Sequence, residues 1–403
     1  MKQLADEERQ LIAPLDHTAM LAQTERWSAI NSGTGNLAGL AQQADELAEA
    51  ASALPGRIEL RDPAPVTALD AAGREVEQAN GRHLVLRVRP GAERRFLLTG
   101  HMDTVFPPEH PFQHGRWLDP DTLNAPGAAD MKGGIAVMLA ALHAFEASAA
   151  ASSVGYDVLI NSDEETGSLS SAALIAELAQ GKAAALTYEP AALPDGTLAH
   201  ARGGSGNYSV VVTGRSAHAG RNPEQGRNAV LAAAALALEL EALAAEDLTV
   251  NPARIEGGSA NNVVPDHAVL RFNIRPRTSD AGARFAVQLD ALLRQLERDR
   301  EVATHLHGGI SRPPKPVDAT AQALFDLVRQ AGADLGQPIG CRPSGGVCDG
   351  NNIAACGVPV VDTMGVRGGA IHSPDEYLIA SSLAERAALS ALVLHRLATG
   401  GAL

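Results

Sequence analysis

Residues 95–104 read RFLLTGHMDT, a run of apolar, strand-forming residues that ends in a histidine and an aspartate two positions apart. Runs of the same texture occur at LVLRV (84–88), YDVLINS (156–162) and AALTYEP (184–190), and again at VPVVDTMG (358–365). Between them lies a helical pattern that begins near Asp130 and passes through Ile135, Met138, Leu139 and Leu142. Strands that alternate with helices pack as a layered α/β domain, so a mixed, largely parallel sheet flanked by helices is expected. Before the first strand, apolar residues at helical spacing around Leu4, Leu11, Ile12 and Leu15, and then from Leu37 to Leu54, predict helices.

From Gly203 to Arg312 the order is different: strand (NYSVVVTG), helix (about Pro223 to Ala245), two strands (LTVNPARIEG and HAVLRFNIRP), helix (about Asp280 to Arg298), strand (EVATHLHG). This βαββαβ order is the split βαβ of ferredoxin-like domains and is complete in itself. The Pro-rich SRPPKPV (311–317) reads as a linker back to the first domain, which resumes with a helix from about Ala319 and ends with one from about Leu378. The expected organisation is therefore a discontinuous α/β domain, residues 1–202 and 313–403, interrupted by an inserted domain, 203–312.

At 403 residues the chain exceeds what one hydrophobic core usually sustains, which agrees with two domains. Aromatic residues are only 3%, so Ala, Leu and Val must fill the interior. A formal charge of −14 disfavours nucleic acid and anionic lipid as partners. The charged start MKQLADEERQLIAPLD lacks the apolar stretch of a signal peptide, and no run of about 18 apolar residues offers a membrane span. Cys341, Cys348 and Cys356 are odd in number and lack the CxxC spacing of a structural zinc site, which suits a reducing, cytoplasmic setting. Cys348 reads as a small residue in a Gly-rich loop rather than as a nucleophile.

Five side chains able to bind metal fall at the carboxyl ends of predicted strands or just beyond: His101 after RFLLTG, Glu165 after VLINS, Glu189 after AALTY, His372 after VVDTMG, and Asp130 where a helix should start. In open α/β sheets that edge is where ligands bind. Asp103 projects to the same side as His101 and can accept the second N–H of the imidazole, as a carboxylate behind a metal-bound histidine does. A loop histidine beside a turn-forming aspartate is the plainer account. Asp130 reads either as a helix N-cap or as a short carboxylate bridging two metals. Asp163, Glu164 and Glu165 repel one another and need full solvation or a cation. Neighbouring residues diverge in direction, so Glu165 can ligate a metal while Glu164 faces substrate as a general base.

Taken together, HMDT (101–104), GAADMKGG (127–134), DEETGS (163–168), YEP (188–190) and GGAIHSPDEY (368–377) resemble, in order, the motifs of the zinc exopeptidase family that contains glutamate carboxypeptidases, acetylornithine deacetylases, succinyl-diaminopimelate desuccinylases and aminoacylases. The resemblance implies two Zn2+ per chain, with Co2+ or Mn2+ able to substitute. Asp130 would bridge them, His101 and Glu189 would hold one, and Glu165 and His372 the other. A metal-bridging hydroxide would attack the amide, with Glu164 as general base. The resemblance also implies a homodimer in which His218 of GRSAHAG reaches a neighbouring subunit's active site and stabilises the oxyanion. Asn262 in ANNVVP and Arg275 in NIRPRT would hold a substrate carboxylate, a task that suits the planar arginine fork. Gly345 and Gly346, with Gly368 and Gly369, would let backbone approach substrate closely, although plain turn formation explains them as well.

The implied reaction is hydrolysis of an amide bond beside a free carboxylate, on a small peptide or an N-acyl amino acid. SGTGN (32–36) and SGGVCDGNN (344–352) look closer to the glutamate carboxypeptidase branch; an N-acyl-amino-acid deacylase is the alternative. A non-catalytic zinc protein is a reading of another class, and Glu164 speaks against it because a pure binder needs no base. A nucleotide-binding loop is disfavoured because Gly33, Gly35 and Gly39 follow GxGxxxG spacing, and a serine hydrolase lacks its GxSxG elbow.

Overall fold

The computed structural model describes residues 4–400. The chain forms two compact units, one of Met1–Ala64, Ala79–Ala201 and Val317–Leu403, the other of Pro65–Gln78 and Arg202–Pro316.

The first unit is built on a six-stranded sheet in the order Arg57–Arg61, His83–Val88, Gly155–Asn161, Arg95–His101, Ala184–Thr187, Val360–Val361. The last four run parallel to one another, and the first two are antiparallel additions at one edge. Alternate residues feed two separate cores: Leu84, Leu86, Phe96, Leu98, Val158 and Ile160 on one face, and Val85, Leu97 and Leu159 on the other. Burial on both faces explains why these strands read as continuous apolar runs. Helices Gly133–Glu146 and Ser382–Thr399 cover the larger core with Ile135, Leu142, Leu389 and Leu392; Ile175 and Leu178 of Ala172–Ala179 and Ile353 of Asp349–Ala355 cover the smaller one. The stretch Ala128–Glu146 is long and apolar enough to cross a membrane, yet it is mostly buried within this core.

Several boundaries differ from the sequence pattern. The helix expected near Asp130 begins at Gly133, and VPVVDTMG contributes only Val360–Val361 as strand. The last helix starts at Ser382 because Tyr377–Ile379 is a strand of a second, antiparallel sheet, ordered Gly368–Gly369, Tyr377–Ile379, Thr122–Asn124, Arg116–Asp119. Strands of two to four residues leave no periodicity to read.

The second unit is a four-stranded antiparallel sheet, in the order Leu248–Gly257, His267–Pro276, Ser205–Thr213, Ala303–Arg312. Helices Ala229–Glu241 and Ser279–Arg300 pack on one face, around Val210, Val212, Leu236, Leu240, Leu270, Phe272 and Phe285. The first of these helices is shorter than the sequence pattern predicts, because Asn228 caps it by accepting the N–H of Leu231 and Pro223–Gln225 forms a separate short turn. Pro252 sits in an edge strand, where a register shift before Arg254 accommodates its missing donor. The hairpin of Val66–Leu69 and Glu75–Gln78 groups with this unit: Leu69 packs on Val211 and Val269, and Arg271 Nη2 donates to the carbonyls of Leu69 (3.1 Å) and Asp70 (2.9 Å). The chain segments entering and leaving the inserted portion run side by side, with Arg202 and Lys315 exchanging backbone hydrogen bonds of 3.0 and 2.9 Å.

Candidate metal centre

The six-stranded sheet and the short antiparallel sheet of the first unit bring the acidic and imidazole groups to one place. His101 ends strand Arg95–His101, paired in register with Asn161, after which the chain turns through Asp163 into the short helical turn Glu164–Thr166. Glu189 follows strand Ala184–Thr187 by two residues. Asp130 lies in an irregular turn, Ala128–Lys132, a few residues after strand Thr122–Asn124, and His372 in the loop between Gly368–Gly369 and Tyr377–Ile379. His372 holds a left-handed backbone, φ +62°, a conformation uncommon for a residue with a side chain. Asp130 does not cap helix Gly133–Glu146: Lys132 occupies the cap position, and the Asp130 carboxylate is used elsewhere.

The two oxygens of Asp130 face two histidines. Oδ1 lies 3.1 Å from His101 Nε2, and Oδ2 lies 3.2 Å from His372 Nε2. Glu189 Oε2 is 3.7 Å from the same nitrogen of His101, and Glu165 Oε2 is 3.1 Å from that of His372. The cluster thus has two halves sharing one aspartate. Carboxylate oxygens of Glu164 and Glu189 and a ring nitrogen of His101 lie within 4.8 Å of one another, which sets Glu164 beside the first half. The side chains of His101, Asp130, Glu165 and Glu189 are buried, whereas His372 is half-exposed.

Three buried carboxylates cannot all carry charge without cations to offset them. Burial, and then Asp130, push Glu165 up to about 7, and burial pushes Glu189 up to about 8. Hydrogen bonds to Asp130 and Glu165 raise His372. For His101 burial opposes the charge, but Glu189, Asp103 and Asp130 outweigh it and raise the ring well above its ordinary value. Burial likewise works against Asp130, which the two histidines nonetheless hold below the usual carboxylate range. Protons thereby do what a divalent ion would do better. Two imidazole nitrogens and three carboxylates, in two overlapping groups, fit a pair of divalent cations with mixed nitrogen and oxygen ligation.

Behind the cluster, His101 Nδ1 donates to the Asp103 backbone carbonyl at 3.0 Å, while the Asp103 carboxylate expected in that role is 3.4 Å away. That carboxylate accepts the backbone N–H groups of Glu164 and Glu165, both at 3.1 Å, and the Thr34 hydroxyl at 2.8 Å. Asp103 therefore fixes the backbone of Glu164 and Glu165 together. Thr34 belongs to SGTGN, where Gly33 lies so close to the Phe106 carbonyl oxygen that a Cβ would stand 2.5 Å from it. Gly33 and Thr34 of this segment serve a brace behind the site.

Sequence reasoning passed over Glu376. Its buried carboxylate accepts N–H groups from Gly127 (3.1 Å), Ala129 (3.0 Å) and Asp130 (3.0 Å), while Asn124 Nδ2 donates to the carbonyls of Pro374 (3.0 Å) and Glu376 (2.7 Å). Buried Lys132 donates to the carbonyls of Trp27 and Ile30 at 2.9 and 2.8 Å, tying the Asp130 turn to helix His17–Ser28 and the chain just beyond it. Asp163, the first of the acidic trio, stays out of the cluster and accepts from Ser170 and Ser171, closing its own loop.

His218, Asn262 and Arg275 belong to the second unit. His218 forms a β-bridge with Val263, and Ala219 donates to the Asn262 carbonyl at 2.9 Å, so His218 and Asn262 are neighbours with exposed side chains. Arg275 is exposed on strand His267–Pro276. A Cβ on Gly345 would meet nothing within 4 Å, and Gly346 donates its N–H to Ser344 Oγ, which is turn chemistry. Gly368 and Gly369 answer a different need: Cβ atoms there would stand 2.2 Å from the Tyr377 carbonyl oxygen and 3.0 Å from its hydroxyl. Cys348 is buried at the start of helix Asp349–Ala355, Cys341 is half-buried and Cys356 is exposed.

Among known proteins, carboxypeptidase G2 from Pseudomonas sp. (strain RS-16) is 29% identical over 398 residues, covering 96% of this chain and 91% of that protein. Succinyl-diaminopimelate desuccinylase from Psychrobacter arcticus is 27% identical and covers 79% of this chain and 83% of its own. In fold, the chain is similar to a tripeptidase from Staphylococcus aureus, with a TM-score of 0.74 at 22% identity over 96% of this chain and 100% of that one. It is also similar to an M20 family metallo-carboxypeptidase from Sulfolobus solfataricus, with a TM-score of 0.69 at 15% identity over 94% and 99%. The description Peptidase family M20/M25/M40 matches residues 97–396, from before His101 to beyond His372, and the chain belongs to that family of metal-dependent hydrolases.

Proposed function

We propose that the protein is a two-zinc carboxypeptidase that hydrolyses an amide bond beside a free carboxylate, releasing a C-terminal amino acid such as glutamate. The observation that carries this reading is the division of one aspartate between two histidines, Asp130 Oδ1 toward His101 and Oδ2 toward His372, with a further carboxylate on each side. His101, Asp130 and Glu189 would hold one ion, and Asp130, Glu165 and His372 the other. When bound, such a pair supplies hydroxide at neutral pH and polarises the scissile carbonyl.

The chain's own groups supply the rest. Glu164, its backbone N–H held by Asp103 Oδ1, takes the proton of the attacking water and delivers it to the leaving amine nitrogen. Arg275 and Asn262 receive the free carboxylate, and His218 donates to the tetrahedral oxyanion of a partner subunit, which makes the homodimer part of the proposal. The resemblance over most of its length to a carboxypeptidase supports amino-acid release, and the resemblance to a desuccinylase keeps N-acyl-amino-acid deacylation as a second reading with the same centre.

The test is a panel of N-acyl amino acids, dipeptides with C-terminal glutamate and their C-terminal carboxamides, offered to metal-free protein and to protein reloaded with zinc, cobalt or manganese. Cleavage that requires metal and a free carboxylate is expected. Full activity without metal, or indifference to the carboxylate, would remove the proposal.

A further inference from the structure

We propose that Asn273 is a positioning residue that aims the Arg275 guanidinium at the substrate's carboxylate; this rests on the carboxylate-adjacent reading above. Residues 271, 273 and 275 alternate along strand His267–Pro276 and so share one face of the second unit's sheet. The two arginines on that face are used in opposite ways. Arg271 is held at all three nitrogens: Nε donates to Glu256 at 3.1 Å, Nη1 to Ser209 Oγ at 3.2 Å, and Nη2 to the Leu69 and Asp70 carbonyls. Arg275 instead donates through Nε to Asn273 Oδ1 at 2.9 Å, a neutral acceptor, and among the described residues no ion pair involves it.

The orientation of the Asn273 amide follows from its other contacts. Its Nδ2 faces three acceptors, Asn207 Oδ1 at 2.8 Å, the Gly206 carbonyl at 3.0 Å and Ser205 Oγ at 3.2 Å. Turning the amide over would set oxygen against those acceptors, so Oδ1 is left facing Arg275. Because the acceptor is an amide, the guanidinium is oriented through Nε without being neutralised. Its two terminal nitrogens stay available for the paired hydrogen bonds that a carboxylate takes from an arginine fork. An acid at position 273 would have satisfied the arginine internally, as Glu256 does for Arg271. This face of strand His267–Pro276 therefore carries one structural arginine and one receptor arginine.

The experiment compares Asn273→Ala, Arg275→Ala and the double variant in the metal-loaded full chain. Each is assayed on the panel substrate cleaved fastest and on its C-terminal carboxamide. Arg275→Ala should raise KM for the acid about a hundredfold. Asn273→Ala should raise it roughly five- to tenfold with kcat unchanged, leave the carboxamide unaffected, and add nothing in the Arg275→Ala background. An Arg275→Ala effect with no Asn273→Ala effect, or with the two effects additive, overturns the positioning role and leaves the carboxylate receptor standing. If Arg275→Ala treats acid and carboxamide alike, the receptor and its positioning residue both fall. The hydrogen bond is partly exposed, so loss of folding is not expected, and an unchanged melting temperature separates aiming from stability.

Discussion

Glu376 Oε1 accepts the backbone N–H of Asp130 at 3.0 Å, so a carboxylate four residues beyond His372 holds the turn whose side chain divides between His101 and His372. Both of its oxygens are spent on that turn, Oε2 on Gly127 and Oε1 also on Ala129. In Glu376→Gln the amide nitrogen must face at least one backbone N–H, which leaves donors opposed in a buried place. Metal affinity should fall roughly 10- to 100-fold, as it does when residues supporting metal ligands are lost. Calorimetric titration with zinc measures this. An affinity equal to that of the parent protein would show that Asp130 does not depend on the clasp.

Glu164 stands beside the half of the cluster that contains His101 and Glu189. Glu164→Gln keeps the size and removes the base, so kcat should drop by about 10²- to 10⁴-fold while metal content stays near that of the parent. Turnover at the parental rate would take the proton transfer away from Glu164, and loss of metal instead of turnover would make it a ligand.

The protonation of the cluster gives metal binding a definite pH dependence. Glu165, pushed up to about 7, is partly protonated at neutral pH, Glu189, pushed up to about 8, is mostly so, and His372 and His101 are raised as well. An incoming ion must displace protons from raised groups, so uptake releases protons and affinity increases with pH across the neutral range. Asp130 works in the other direction: its value is lowered, it is ionised throughout that range, and it contributes no proton. Titrations at one pH in buffers of different ionisation enthalpy should give different heats. Heats independent of buffer would contradict the protonated cluster.

How much of this was legible in the sequence depends on what each residue touches. His101, Glu165 and Glu189 were readable because parallel strands have long apolar runs, and their ends mark the sheet edge that binds ligands. Asp130 and His372 were readable as residues but not as geometry, since the antiparallel sheet that presents them is made of strands of two to four residues. Glu376 and Asn124 left no local signal, because their partners are backbone groups of segments remote in the chain. Thr34 left no signal of its own: SGTGN reads as a glycine-containing turn, and only the approach of Gly33 to Phe106 and the Thr34 bond to Asp103 reveal a brace. The hairpin 65–78 looked like part of the first domain for the same reason, its anchor being Arg271.

A close contact between helix Gly133–Glu146 and the residue before Glu189 gives the last prediction. A Cβ on Gly134 would stand 2.0 Å from the Tyr188 carbonyl oxygen and 3.2 Å from its carbon, both backbone atoms that cannot rotate away. Helix propensity favours Gly134→Ala by at most about 1 kcal/mol, and less in a first turn. Overpacking against backbone costs about 1–3 kcal/mol, so the steric cost should win and the melting temperature should fall. Relief requires helix Gly133–Glu146 to back away from Tyr188, which is joined directly to Glu189. Zinc affinity should therefore decline along with stability, although residue 134 touches no ligand side chain. A Gly134→Ala protein that melts higher than its parent would mean that the helix yields freely, and that its packing does not set the position of Glu189.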